Sequence, residues 1–273
     1  MKTTITFLGT ASVVPEAGND TASFLLNGTH LIDAGWYSAL NMLRYGFNPM
    51  DLDCVFLTHC HHDHYLGLAG ILFYLRMRQS ERPDRPPLHV IGPEADIHRT
   101  LDRAHAYLQT DRFPDVGLDP VVTRVRPGDS LEREHFEVAT VAGVHSVQAI
   151  AYRFTDKATR ASIAISGDTA RNPAIADLAH GCDLLIHEAS SGAIPMDLAV
   201  HSGHSSAMDA ARVAALASVK RLALVHCAEP LRPDALAAAQ AIFANTFLPE
   251  PGETVEVAPV RTLPGDRQKL TSN

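Results

Sequence analysis

The chain has few cysteines, no long apolar run and no excess of positive charge, and each shortage removes a class of protein. Its four cysteines, Cys54, Cys60, Cys182 and Cys227, show no C-x-x-C spacing. Cys54 and Cys182 sit in apolar runs that read as buried strands, and all four read as reduced thiols. No apolar stretch reaches the roughly 18 residues that a membrane-spanning helix needs. Met1 to Val14 is interrupted by Gly9, Thr10 and Ser12 and reads as a first strand and turn, not as a signal peptide. With 23 lysines and arginines against 31 aspartates and glutamates, a net charge of -8, the chain lacks the basic excess of general nucleic-acid or anionic-membrane binders. A soluble, cytoplasmic protein is the expectation.

Internal repeats and long low-complexity segments are also missing. What is present is 273 residues with 46% hydrophobic content and 20% charge, enough for one large domain over 1–273 with a substantial core. Strand-like runs recur at Thr3–Leu8, Ala22–Leu26, His30–Asp33, Cys54–Leu57, Leu88–Ile91, Phe136–Val141, Ala149–Phe154, Ser162–Ser166, Asp183–His187 and Arg221–His226. Asn27-Gly28 marks a hairpin between the second and third. Helical patterns fall at Trp36–Tyr45, Leu66–Arg78, Glu94–Leu108, Pro173–Ala179, Ser206–Ser218 and Pro233–Asn245. Early hairpins followed by strand and helix alternation predict a layered α/β protein with sheets inside and helices outside. The Pro- and Arg-rich stretch Gln79–Pro87 reads as a surface loop, and Arg76, Arg78, Arg82 and Arg85 as its solvated charges.

Chemistry concentrates in one run, His59-Cys60-His61-His62-Asp63-His64, directly after the apolar Cys54–Leu57. If Leu57 ends a strand, His59 and His61 project the same way, because side chains two apart share a face. Asp63 and His64 then serve a second centre. Cys60 and, further on, Cys227 adjoin ligand histidines without sharing their face. His145, Asp168 and His226 each follow a strand-like run, where sheet proteins present functional groups. By charge and geometry His59, His61 and His145 hold one ion, Asp63, His64 and His226 another, and Asp168 bridges. These nitrogen and oxygen donors suit zinc, with manganese or iron as other occupants. Two divalent ions bring four positive charges against two from Asp63 and Asp168, and the set leaves room for water, as a closed structural site does not. Such a pair, about 3.5–4 Å apart, activates water for hydrolysis.

These residues resemble the metallo-β-lactamase superfamily, whose H-x-H-x-D-H signature stands as His59, His61, Asp63 and His64. The resemblance runs from Phe7-Leu8-Gly9-Thr10 and Leu31-Ile32-Asp33-Ala34-Gly35 through Ser166-Gly167-Asp168-Thr169 to Leu224-Val225-His226. It implies a four-layer αββα sandwich of two mixed sheets with helices outside. It also makes Asp33 a group near the metals that is not a ligand; read by itself, Asp33 is equally a turn residue. The chain is similar to the ribonuclease Z branch in His187-Glu188-Ala189-Ser190 and His204-Ser205-Ser206-Ala207. In that branch the Glu orients the His, which protonates a leaving oxygen, so the candidate catalytic residues are Asp63, Glu188 and His204. Alternatively, Ser205 or Ser206 caps the following helix and His204 is exposed. Between His204 and His201 the proton-handling role stays open.

Two departures bear on substrate. The tRNA-processing members carry a long arm between the third and fourth ligand motifs, whereas only Ser146–Gly167 separates His145 from Asp168. They also carry a basic segment after the opening Gly-Thr, where this chain reads Pro15-Glu16-Ala17-Gly18-Asn19-Asp20. The expectation is a dinuclear phosphodiesterase that uses a metal-bridging hydroxide on a small or unstructured phosphodiester, structured tRNA being disfavoured. The alternatives are a lactonase or thioesterase of the same superfamily, or a tRNA 3'-processing endoribonuclease. A homodimer is possible by the same resemblance.

Overall fold

The computed structural model describes residues 2–194 and 203–259. One seven-stranded sheet takes β1 (Thr3–Gly9), β2 (Ser23–Leu26), β3 (His30–Ile32), β4 (Cys54–Phe56), β5 (His89–Pro93), β6 (Val121–Val125) and the last strand, β14 (Thr254–Val257), in the order β14-β1-β2-β3-β4-β5-β6. The second holds β7 (Ser130–Glu132), β8 (Phe136–Ala142), β9 (Ile150–Asp156), β10 (Ser162–Ile165), β11 (Leu184–Glu188), β12 (Leu222–Val225) and β13 (Thr246–Phe247), in the order β13-β12-β11-β10-β9-β8-β7. Both sheets are mixed in the same manner. Antiparallel pairs β14-β1-β2-β3 give way to parallel β3-β4-β5-β6, and antiparallel β7-β8-β9-β10 to parallel β10-β11-β12-β13.

Alternation along the strands builds three apolar layers. Ile5, Phe7, Phe24, Ile32 and Phe56 face inward and meet Phe136, Ile150, Tyr152, Phe154, Ile165 and Ile186 of the other sheet. Their neighbours Leu25, Leu31, Val55, Leu57 and Val90 face out, onto α1 (Ser38–Arg44), α3 (Leu68–Met77) and α4 (Ile97–Leu108). Ala164, Leu185, Leu222 and Leu224 do the same beneath α5 (Pro173–Leu178), α6 (Ala207–Leu216) and α7 (Arg232–Gln240). Strands buried on both faces read as unbroken apolar runs, which is why the parallel centres stand out in the sequence. The result is the expected αββα sandwich, and no helix among the described residues is long and apolar enough to cross a membrane.

The sequence misses four strands, and they are the four sheet edges: β6, β14, β7 and β13. β7 and β13 are two or three residues long, β6 is half exposed, and β14, although it alternates, spans only four residues, so none of these edge strands carries a long apolar run. The hairpin at Asn27-Gly28 forms with both residues at positive φ, 49° and 75°. Between His145 and Asp168 the chain makes only β9, β10 and a tight turn. Asp156 holds that turn by accepting from Ala158 N at 2.8 Å and Thr159 N at 3.0 Å, and it is itself tied down by Thr3 and Asn27.

Candidate metal centre

Every proposed ligand lies just beyond the C-terminal end of a strand or on the turn that follows. Parallel strands present such groups there because the chain must leave the sheet and reverse; His145 instead follows β8, an antiparallel strand. His59 follows β4, His145 follows β8, Asp168 follows β10, Glu188 ends β11 and His226 follows β12. One element differs from expectation. Asp63 and His64 sit on a single-turn helix, α2 (His62–Tyr65), that starts at His61. Helical spacing, not strand alternation, therefore separates the second pair from His59 and His61. His226 adopts φ 55°, a left-handed conformation costly for a non-glycine residue and characteristic of functional positions. Gly167, at φ 58°, lets two ligand loops touch, since a Cβ there would stand 2.7 Å from Thr58 Cβ.

The side chains converge in two overlapping groups. The ligand atoms of His59, His61 and His145 lie within 4.8 Å of one another, as do those of Asp63, His64, Asp168 and His226. His61 Nδ1 and His145 Nε2 are 2.9 Å apart. Asp168 Oδ2 sits between the groups, 3.8 Å from His59 Nε2, 3.5 Å from His64 Nε2 and 3.4 Å from His226 Nε2. Asp63 Oδ2 is 3.2 Å from both His64 Nε2 and His226 Nε2. All but His61 and His145 are fully buried.

The far nitrogens of His64, His145, His226 and His59 are anchored, which decides which nitrogen of each faces the centre. His64 Nδ1 donates to Asp33 Oδ2 at 2.8 Å, so Nε2 is the nitrogen that faces the cluster. His145 Nδ1 donates to the Gly203 carbonyl at 2.7 Å. His226 Nδ1 lies 2.8 Å from Ser190 Oγ, and His59 Nδ1 3.2 Å from Thr58 Oγ1. Asp33 also accepts from Thr58 N and Oγ1, both at 2.7 Å, so it orients the His64 ring and the backbone before His59 as well as turning the chain. Thr21 Oγ1 donates to the Asp63 carbonyl at 2.7 Å and pins α2 from below. Thr58, Thr21, Ser190 and Gly203 are contacts that the sequence reading assigned no role. A hydroxyl residue shortly beyond a strand end and next to a candidate ligand is a signal that marks Thr58; Ser190, two residues past β11, has no such neighbour.

The donor set fits divalent ions. His59 Nε2 and His64 Nε2 are buried with no hydrogen-bond partner among the described residues, and both turn toward the same cluster. Burial pushes His59 well below the ordinary imidazole value, with the neighbouring His64 adding to it, so its nitrogen stays a lone-pair donor. Burial opposes ionisation of Asp168, yet His226 and His64 hold it well below the usual carboxylate range. His64 is pushed up, against its burial, by Asp168 and Asp33. Two buried carboxylates that stay ionised demand positive charge in the space they share. Imidazole nitrogen and carboxylate oxygen are the donors that zinc-like ions take.

Beside this cluster, His204 Nδ1 lies 3.1 Å from Glu188 Oε1 and 3.8 Å from Asp168 Oδ2. The Glu188 hydrogen bond raises the His204 pKa. Ser206 does cap α6, in a reciprocal box with Asp209, while His204 is half-buried against Glu188 and not exposed. His201 lies outside the described residues. Cys60 and Cys227 are buried away from the ligand clusters, their thiols pushed up to about 11 by burial. Asp20 in the loop after the opening Gly-Thr is buried and accepts from Tyr37 N at 2.7 Å and Asn41 Nδ2 at 3.0 Å. Glu16 accepts from Glu229 N at 2.9 Å. The arginines before and within Gln79–Pro87 are likewise occupied, Arg76 with Gln79 and the Asp115 carbonyl, Arg78 with Glu81, Arg82 with Asp51, and Arg85 with backbone carbonyls.

Residues 29–227 match the family model of the β-lactamase superfamily domain. The chain belongs to that superfamily. Within it the chain is ribonuclease Z-like: ribonuclease Z of Methanothermobacter thermautotrophicus is 30% identical over 304 aligned positions, covering 93% of this chain and 96% of that protein. Among solved structures, the short form of human tRNase Z superposes with a TM-score of 0.75 at 23% identity, over 92% of this chain and 98% of that one. A diphosphatase of the PhnP family gives 0.72 at 21% identity, over 94% and 97%. These two likenesses are of fold. As a member of this superfamily with a convergent His/Asp cluster, the chain is a metal-dependent hydrolase.

Proposed function

We propose that the protein is a dinuclear phosphodiesterase acting on small or unstructured phosphodiesters, with His59, His61 and His145 at one ion, Asp63, His64 and His226 at the other, and Asp168 between them. Zinc suits the donors best, and manganese or iron are other occupants. Bound ions of this kind supply an activated water and neutralise charge on phosphoryl oxygens. The observation that carries the reading is the 3.1 Å contact of Glu188 Oε1 with His204 Nδ1, at the rim of the cluster. An alkoxide leaves poorly unless it is protonated, whereas acyl transfer to water from a lactone does not call for a carboxylate-backed imidazole in this form. Glu188 fixes the His204 tautomer with Nδ1–H toward itself and favours the charged ring. The second nitrogen, Nε2, then carries the proton to the leaving oxygen. Asp63 and Asp168 contribute the negative charge that holds the ions in place.

A second reading, a tRNA 3'-processing endoribonuclease, is favoured by the relatives named ribonuclease Z, which match nearly end to end. Two observations favour small substrates instead. The 304-position alignment is longer than this 273-residue chain, so the relative carries insertions that are missing here. The β9–β10 turn, held by Asp156, leaves no arm between the third and fourth ligand motifs.

The test is a parallel assay of the zinc- or manganese-loaded protein on bis-aryl phosphate, a 2',3'-cyclic nucleotide, an acyl-homoserine-type lactone and a precursor tRNA. Turnover of the two phosphodiesters is expected. Lactone hydrolysis alone overturns the proposal, and preferential cleavage of the precursor tRNA moves the assignment to the second reading. Fewer than about one ion per chain, with no rescue by added zinc or manganese, removes the dinuclear basis.

A further inference from the structure

We propose that Ser190 is a positioning residue that lets the single carboxylate of Glu188 orient two different histidines, the metal ligand His226 and the proton-handling His204. The inference rests on the dinuclear reading above and goes beyond it in assigning Ser190 a function. Ser190 lies two residues past the end of β11. Its Oγ is 2.7 Å from Glu188 Oε2, 2.8 Å from His226 Nδ1 and 3.3 Å from His204 Nδ1. A hydroxyl has one proton to give, and an ionised carboxylate only accepts. The Ser190 proton therefore goes to Glu188 Oε2, and the lone pairs of Oγ are left to accept from a ring N–H.

The distances choose which ring. His226 Nδ1 is the nearer at 2.8 Å, while His204 Nδ1 has Glu188 Oε1 at 3.1 Å. The two carboxylate oxygens thus divide their work. Oε1 takes His204 and the Thr169 backbone N–H, the latter at 2.8 Å; Oε2 takes the Ser190 backbone N–H at 3.1 Å and its hydroxyl. Through that hydroxyl it fixes His226 with Nδ1–H outward and the Nε2 lone pair toward Asp63 and Asp168. Without Ser190 Oγ, the buried Nδ1–H of His226 loses its acceptor, and the opposite tautomer, with Nε2 protonated and unable to bind an ion, gains population. Groups that anchor the far nitrogen of a metal-bound histidine in this way are worth about 10- to 100-fold in metal affinity.

Three forms of the full chain test this: wild type, Ser190→Ala and Ser190→Thr, each titrated with zinc against a chromophoric chelator and examined with cobalt by its visible absorption. Ser190→Ala is expected to weaken one of the two ions about 10- to 100-fold and to change the cobalt band of that site. Ser190→Thr keeps a hydroxyl at the same place and is expected to restore both. Nitrogen-15 NMR of the wild-type imidazoles gives a measurement independent of any variant's folding: His226 is expected as the Nδ1-protonated tautomer in the loaded protein. Unchanged affinity for both ions in Ser190→Ala overturns the role of Ser190 alone, as does a threonine variant as impaired as the alanine one or an Nε2-protonated His226. Wild type that binds no ion overturns the dinuclear reading as well, so the two failures are told apart.

Discussion

Asp33 Oδ2 accepts from His64 Nδ1 at 2.8 Å, joining residues 31 apart, while the same carboxylate caps Thr58 N and Oγ1 at the start of the ligand run. One buried group therefore fixes both the ring of His64 and the backbone that carries His59. Asp33→Asn keeps the shape and tolerates φ 56°. It replaces one acceptor oxygen by a donor, so it cannot serve all three partners. Metal affinity is expected to fall about 10- to 100-fold, and stability by about 1–3 kcal/mol for the unsatisfied buried group. Chelator competition and urea unfolding measure the two. Unaltered metal affinity would mean that His64 orients itself without Asp33.

His204→Ala is expected to leave both ions bound and to slow turnover according to the leaving group. General acid catalysis contributes about 10²- to 10⁴-fold where the leaving alkoxide is basic, and little where an activated aryl oxide departs unaided. A series of phosphodiesters of graded leaving-group pKa reads this as a steeper dependence in the variant. Equal losses across the series would rule out proton delivery by His204.

The parts that could be read from sequence and the parts that could not differ in how local their causes are. The central strands were legible because burial on both faces leaves continuous apolar runs such as Cys54–Leu57 and Leu184–Ile186. Edge strands β6, β7, β13 and β14 were not, since each is short or half exposed and is fixed as a strand mainly by its neighbour's backbone. The ligand run announced itself because four donors fall within six residues. Its division into two groups also needs the helical turn of α2, which a run of His and Asp does not signal. The Ser190–His226 and His145–Gly203 contacts join segments 36 and 58 residues apart, and no local pattern encodes which strand ends meet.

His30, buried beside Phe136 and Phe56 at the opposite end of β3 from the cluster, supplies a pH test free of the metals. Burial lowers its pKa to about 4 from 6.5, and the nearby His135 and Arg133 add to the effect. The folded state thus resists a proton that the unfolded chain accepts. Above pH 6.5 neither state binds it and stability is unaffected; as pH falls from 6.5 through about 4 the unfolded chain binds more protons, and stability is lost, by roughly 3 kcal/mol in all. Metal-free wild type and His30→Phe, unfolded in urea at several pH values, should therefore diverge, with the variant lacking this part of the acid slope. Parallel curves would show that folding leaves the His30 pKa unchanged.

Gly67 separates α2 from α3, and a Cβ there would stand 2.0 Å from the Gly35 carbonyl oxygen. Gly67 N also donates to the Ala34 carbonyl at 3.1 Å, and Ala34 N donates to the His64 carbonyl at 2.8 Å, so the ligand helix is clamped to the loop that follows Asp33. Gly67 is not at positive φ; it is required for room alone. Gly67→Ala must move backbone, which costs about 1–3 kcal/mol, and the movement displaces His64, so metal affinity should fall with stability. Gly70, one turn further along α3, is exposed and a Cβ there meets nothing within 4 Å. Gly70→Ala should stabilise the protein by about 0.5–1 kcal/mol through the helix alone and leave the metals untouched. Thermal melts and chelator titration of the pair separate the two effects. If Gly67→Ala is destabilised but binds both ions as wild type does, the clamp between Gly67 and Ala34 supports the fold without positioning His64.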